Sequence, residues 1–160
     1  MEKKKGVTAV AYDTDVVKIG ILKIPDRPGI AAKLFGALAK EHINVDMIIQ
    51  SVHSGALADI AFTVGKSDHK KAVEVTKKVG QELNAEGVVS DPDVAKVSII
   101  GTGMVSQPGV AATMFEALAK DMINIEMIST SEIKVSCVIR ADQVKTAVQA
   151  LHKKFELGKI

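Results

Sequence analysis

Tryptophan is missing from this chain, and its 160 residues include one tyrosine, four phenylalanines and a single cysteine. Each shortage excludes something. One thiol makes no internal disulfide and no CxxC metal or redox motif; Cys137, within the alternating stretch VSCVIR, reads as an inert core position on a strand. With aromatics at 3%, a core has to come from Val, Ile, Leu, Ala and Met, and little is left on which nucleic-acid bases could stack. The net charge of +2 is also too small for a nucleic-acid footprint, and three lysines sit in the basic tail MEKKK at residues 1–5. No apolar run approaches a membrane span, and Asp13 and Asp15 interrupt the N-terminal apolar stretch before a secretory signal could form. A cytoplasmic location is expected, with neither nucleic acid nor membrane as partner. The four histidines (His42, His53, His69 and His152) lack metal-ligand spacing. No phosphate-binding GxxxxGK[ST] and no nucleophile elbow occurs either. No metal, cofactor or catalytic residue is therefore expected.

What is present is a repeat. Sliding the chain by 80 residues places PGIAAKLFGALAKEHINVDMIIQS (28–51) over PGVAATMFEALAKDMINIEMISTS (108–131), with 14 of 24 positions identical. Two copies are too few for a solenoid and suit a body of two paired units.

Each copy carries the same succession of signals. VVKIGILKI (16–24) is β-branched and bounded by Pro25, as a strand should be. From Pro28, suited to a first helical turn, Ala31, Leu34, Phe35 and Leu38 fall on one helix face. Residues 44–52 and 56–64 read as strands, 68–85 as a helix with Ala72, Val75, Val79 and Leu83 inward, and 87–91 as a closing strand. The order is βαββαβ, a ferredoxin-like α+β plan: a four-stranded antiparallel sheet with two helices on one face.

The second copy offers strands at 95–103, 124–131 and 133–140. Its helices are 108–121 and a last one with Val144, Ala147, Val148 and Leu151 on one face. It then nearly stops, since FELGKI makes a poor fourth strand. GVTAVAYD (6–13) meanwhile has no partner in the first copy. The expectation is that it crosses over to complete the second, giving one domain at 16–93 and another from 6–15 plus 94–160.

The loop PDRPG between the first strand and helix carries the chemistry. Gly29 permits close approach of a backbone or ligand, and the helix start offers free N–H groups at the positive end of its dipole, suited to a carboxylate. Asp26, just ahead of them, is an acceptor for an ammonium group. The two poles match the two ends of a free amino acid. Asp26 reads equally as an ordinary helix cap. Gln50, near the end of the next strand, suits a polar ligand group or a solvated edge. Asn44 and Asn124 stand at equivalent strand starts, where Asn often closes a left-handed turn. STSEI (129–133), with Ser131 and Glu132, reads as an exposed hairpin or as a polar site.

PDRPGIAAKLF, NVDMIIQS, VAKVSIIGTGM, QPGVAATMF, INIEMISTSEIKVS and the closing ALHKKFEL together resemble the regulatory part of aspartokinase, built of two ACT domains. The likeness covers essentially everything after the lysine tail and includes no kinase domain. It implies either a small regulatory subunit or a regulatory fragment, not an enzyme by itself, that binds a free amino acid and feeds back on aspartate-family biosynthesis. It implies a homodimer formed through ACT domains, and a catalytic alpha subunit or kinase domain as partner. Carried over by residue, the likeness places threonine at Asp26, Gly29, Ala31 and Gln50, with Asn124 and Ile125 from the facing second domain. A lysine site would use Asp46, Ser131 and Glu132. Serine at 106, where the first copy has aspartate, and alanine at 111, where some lysine-responsive relatives have a hydroxyl, favour threonine as the effector. A stand-alone tandem ACT sensor regulating another biosynthetic enzyme is the alternative.

Overall fold

The computed structural model describes residues 6–104 and 108–158. They form two compact units. One runs from Asp15 to Pro92; the other joins the chain up to Thr14 with the chain from Asp93 onward.

In the first unit, β2 (Val17–Pro25), β3 (Ile48–His53), β4 (Leu57–Val64) and β5 (Gly87–Asp91) make an antiparallel sheet in the order β3-β4-β2-β5. Helices α1 (Ile30–Lys40) and α2 (His69–Glu82) supply the second layer. β2 and β4 are central, and they alternate: Ile19, Ile21, Ile60 and Phe62 are fully or almost fully buried. Leu34 and Leu38 of α1 and Ala72 and Val79 of α2 close over them. The Phe35 and Phe62 rings meet edge to face at 5.6 Å, a geometry their quadrupoles favour.

The second unit has the same plan. β6 (Val94–Ile100), β7 (Met127–Thr130) and β8 (Lys134–Arg140) accompany α3 (Val110–Lys120) and α4 (Val144–Lys154). The fourth strand of its sheet is β1 (Ala9–Asp13), antiparallel to β6 with Ala9 opposite Ile100 and Asp13 opposite Lys96. The sheet order is β1-β6-β8-β7. The described residues after α4 form no strand; Phe155 instead turns into the core. Cys137 is completely buried there, and desolvation pushes its thiol up to about 12, which keeps it protonated and unreactive at neutral pH.

Four local readings are corrected. Pro28 is not helical: Gly29 sits at φ 93° in the left-handed region, so right-handed α1 starts only at Ile30. The buried line of α1 is Ile30, Leu34 and Leu38, while Ala31 is exposed and Phe35 half-buried. On α2, Thr76 takes an inward place and Val75 is half-buried. A threonine can sit there because its hydroxyl donates to the Ala72 carbonyl at 2.7 Å. Finally, Asn44 and Asn124 neither begin strands nor adopt left-handed angles; β3 and β7 begin at Ile48 and Met127. The left-handed residues after α1 and α3 are His42 (φ 58°) and Met122 (φ 59°), two residues earlier.

Candidate functional site

The loop that follows β2 is built by a break in strand register. Pairing of β2 with β4 runs regularly through Ile21, opposite Ile60, then resumes with Ile24 opposite Ala58 and Pro25 opposite Leu57. The extra residue in between includes Lys23 at φ 52°, a bulge that bends the strand end. The Asp26 N–H then donates to the Ala56 carbonyl at 2.8 Å, fastening the loop to the β3–β4 hairpin. Residues Arg27 and Pro28 carry the chain to Gly29, whose left-handed backbone aims it into α1. The Lys33 N–H already reaches the Gly29 carbonyl at 3.0 Å. The amides of Ala31 and Ala32, ahead of it, have no carbonyl of the helix to bond.

These elements enclose a cavity of about 310 Å³. Its lining includes Ile24, Ala58 and Ile60 as an apolar floor, with Asp26, Gln50 and the Gly29–Ala31 backbone as its polar parts. The Gln50 side-chain amide donates to Asp26 Oδ1 at 3.3 Å. That contact ties the edge strand to the loop and orients the carboxylate. The N-cap of α1 is Gly29, and no side chain caps the helix, so Asp26 is not the cap that the sequence allowed as one reading. Its charge is left to face the cavity instead of the helix amides.

Chemically the cavity has an anionic pole at Asp26, and at the α1 start donors and the positive half-charge of a helix dipole. An ammonium group suits the first and a carboxylate the second. Arg27, which also lines the cavity, was passed over in the sequence; its signal was a cation placed between the two prolines of the turn.

Asn124 is exposed and Ile125 half-buried against the core of the second unit, in the segment joining α3 to β7. Asp46 is exposed in the matching segment of the first unit, its N–H donating to the Thr63 carbonyl at 3.0 Å. Ser131 and Glu132 are exposed in the β7–β8 turn, where the Ser131 N–H meets the Lys134 carbonyl at 2.8 Å. Ser106 and the 1–5 tail fall outside the described residues. Among the described residues, no group of three His, Cys, Asp or Glu could hold a metal ion, and no helix is long and apolar enough to cross a membrane.

Comparison with known proteins bears on this geometry. The ACT domain family model matches twice, at residues 22–79 and 97–155. An aspartokinase of Thermus thermophilus is 48% identical over 161 residues, covering 99% of this chain and 40% of its own length. The crystal structure of the ligand-free regulatory subunit of aspartate kinase from Thermus thermophilus superposes with a TM-score of 0.88 at 47% identity, over 94% of this chain and 99% of that one. A chain from a crystal structure of aspartokinase alpha and beta subunits gives 0.89 at 42% identity, with the same coverages. These 160 residues thus span about 40% of a curated relative and essentially all of a regulatory subunit, and they do not contain the catalytic domain. The chain belongs to the ACT domain family and, within it, to the regulatory part of aspartate kinases.

Proposed function

We propose that this chain senses a free amino acid, threonine first and lysine second, and passes the signal to an aspartate kinase catalytic polypeptide in the cytoplasm. The observation that carries the reading is the placement of Asp26 and the α1 start, Gly29 to Ala31, around one cavity of about 310 Å³. The ligand's ammonium group meets Asp26 and its carboxylate the backbone from Gly29 to Ala31. Gln50 holds Asp26 in place and offers its remaining hydrogen-bonding capacity to a short polar side chain. The apolar floor of Ile24, Ala58 and Ile60 suits the threonine methyl group.

The family likeness adds Asn124 and Ile125 as threonine contacts, and Asp46, Ser131 and Glu132 as contacts for lysine. It also supports reading each unit as one ACT domain, 16–93 and 6–15 with 94–160, and the working form as a homodimer. Feedback then follows from linkage. A ligand shifts an equilibrium only by its differential affinity for two arrangements, and coupling of about 1–3 kcal/mol is usual for such switches. That suffices to depress a partner's activity severalfold or more.

Calorimetric titration of the chain with threonine and with lysine tests the reading. Threonine is expected to bind and to raise the melting temperature, and Asp26→Ala to abolish both effects. Saturating threonine that leaves the melting curve unmoved, with Asp26→Ala behaving as the parent does, would overturn it.

A further inference from the structure

Asp59 lies on β4, outside the cavity lining, yet it is bonded to the residue that shapes the loop. Its Oδ1 accepts the Lys23 backbone N–H at 2.8 Å, and its Oδ2 meets His53 Nε2 at 2.8 Å. Lys23 is the left-handed residue of the β2 bulge, a conformation that a residue with a side chain rarely adopts without help. The bulge breaks the β2–β4 ladder, so the Lys23 N–H needs an acceptor other than the strand, and Asp59 provides it. Three residues further on comes Asp26. We propose that Asp59 is a positioning residue for the effector loop, holding the bulge at Lys23 so that Asp26 and the Gly29 corner keep their ligand-binding geometry. The proposal rests on the amino-acid reading of the cavity and extends it to a residue that touches no ligand.

Three further observations fit. A short bond from a carboxylate to a backbone N–H is among the stronger kinds. The same carboxylate also joins His53 at the end of β3 to β4, so both strands that flank the hairpin are tied to the loop. The second unit differs here: the position matching Lys23 in the repeat is Gly103, whose backbone is not left-handed. Its hairpin is shorter as well. Ile48 pairs with Phe62 in the first unit, whereas the matching Ile128 pairs with the much nearer Cys137. The longer hairpin of the first unit is what brings Asp59 and His53 beside the loop.

The test compares Asp59→Ala, Asp59→Asn and Asp59→Ser by calorimetric titration with threonine and by amide hydrogen exchange. Asparagine keeps an oxygen acceptor for the Lys23 N–H; serine is too short to reach it. Loss of a charge-assisted bond predicts that Ala and Ser weaken threonine binding by about tenfold, while Asn stays within about twofold of the parent. Exchange in Ala and Ser should quicken at residues 23–31 and stay unchanged in β6 and β8. Parent-like affinity and exchange in both Ala and Ser would overturn the proposal. So would an equal loss in Asn, or exchange that quickens throughout the first unit, which marks general destabilisation. If the parent itself binds neither threonine nor lysine, the effector reading fails, and exchange at 23–31 still decides whether Asp59 holds the loop.

Discussion

Gly29 and Gly109 turn the same corner: 80 residues apart in the repeat, they cap α1 and α3 with backbones at φ 93° and φ 86°. A side chain at Gly29 would meet no atom within 4 Å, so the space is open and only the backbone angle demands glycine. Gly29→Ala should therefore cost about 1–2 kcal/mol of unfolding free energy, the penalty of a left-handed residue with a Cβ. Gly29→Asn should cost less, because asparagine tolerates that region better. Urea denaturation of the two variants against the parent checks the order. Equal losses would point to a steric cause that the structure does not contain.

Much of this was legible because the repeat doubles every signal. The order of elements and the inward Leu34, Leu38, Val79 and Leu151 follow from periodicity, and PDRPG reads as a turn into a helix. Limits appeared where local chemistry has two outcomes. Asp before Pro-Gly looks like a cap, whereas in the structure Gly29 takes the N-cap position and leaves Asp26 to Gln50. Asparagine looks like the left-handed residue, but the helices end at Lys40 and Lys120 and the left-handed positions fall at His42 and Met122, of which only histidine has some aptitude for positive φ; the tertiary position of β3 and β7 decides it. Nothing in the sequence marks Asp59 either. Its partner is a backbone N–H freed by a bulge, and bulges have no reliable sequence signature when the extra residue is a lysine.

Gly36 presents the opposite case to Gly29. It lies in the middle of α1, exposed, with helical geometry and nothing within 4 Å of where a Cβ would stand. The matching position of α3 is Glu116, so the repeat itself accommodates a side chain there. Glycine inside a helix forfeits backbone entropy with no packing in return. Gly36→Ala should accordingly stabilise the chain by about 0.5–1 kcal/mol. A thermal or urea midpoint that stays put or falls would contradict this.

Ser98 and Ser136 face each other across β6 and β8 with their hydroxyl oxygens 2.7 Å apart, 1% and 5% exposed. Each satisfies the other on the sheet face opposite the core, since Val97, Ile99, Val135 and Cys137 on either side of them point to the helices. Ser98→Ala strands the Ser136 hydroxyl and should cost about 1–3 kcal/mol. The double variant with Ser136→Ala removes both polar groups together, so its loss should be smaller than the sum of the two singles. A double-mutant cycle by urea denaturation measures the coupling. Strict additivity would mean that the two hydroxyls do not depend on each other.

The Asp59 carboxyl is held below its ordinary value of 3.8, chiefly by the Lys23 N–H; desolvation opposes this, and the bond and charge of His53 and the charge of Lys23 add to it. The sign of the resulting pH dependence follows from which state binds the proton more tightly. A depressed value in the folded chain means that the unfolded chain takes up the proton first as pH falls. The stabilisation from Asp59 is therefore complete above the ordinary value and is lost as pH drops from there through the folded value. The charged groups facing Asp59 are His53 and Lys23, and Lys23 Nζ also pairs with Glu86 at 3.4 Å. Asp59→Asn isolates the contribution of the Asp59 carboxylate. Asparagine keeps an acceptor for the Lys23 N–H but has nothing to titrate, so its unfolding free energy should fall less steeply than the parent's between about pH 5 and pH 3. Glu86→Gln should leave most of the parent's slope intact, because the Lys23–Glu86 pair is solvent-exposed and such pairs contribute little. Denaturation curves at several pH values across that range decide it. Parallel acid limbs for Asp59→Asn and parent would mean that the carboxylate gains nothing from the Lys23 amide in solution.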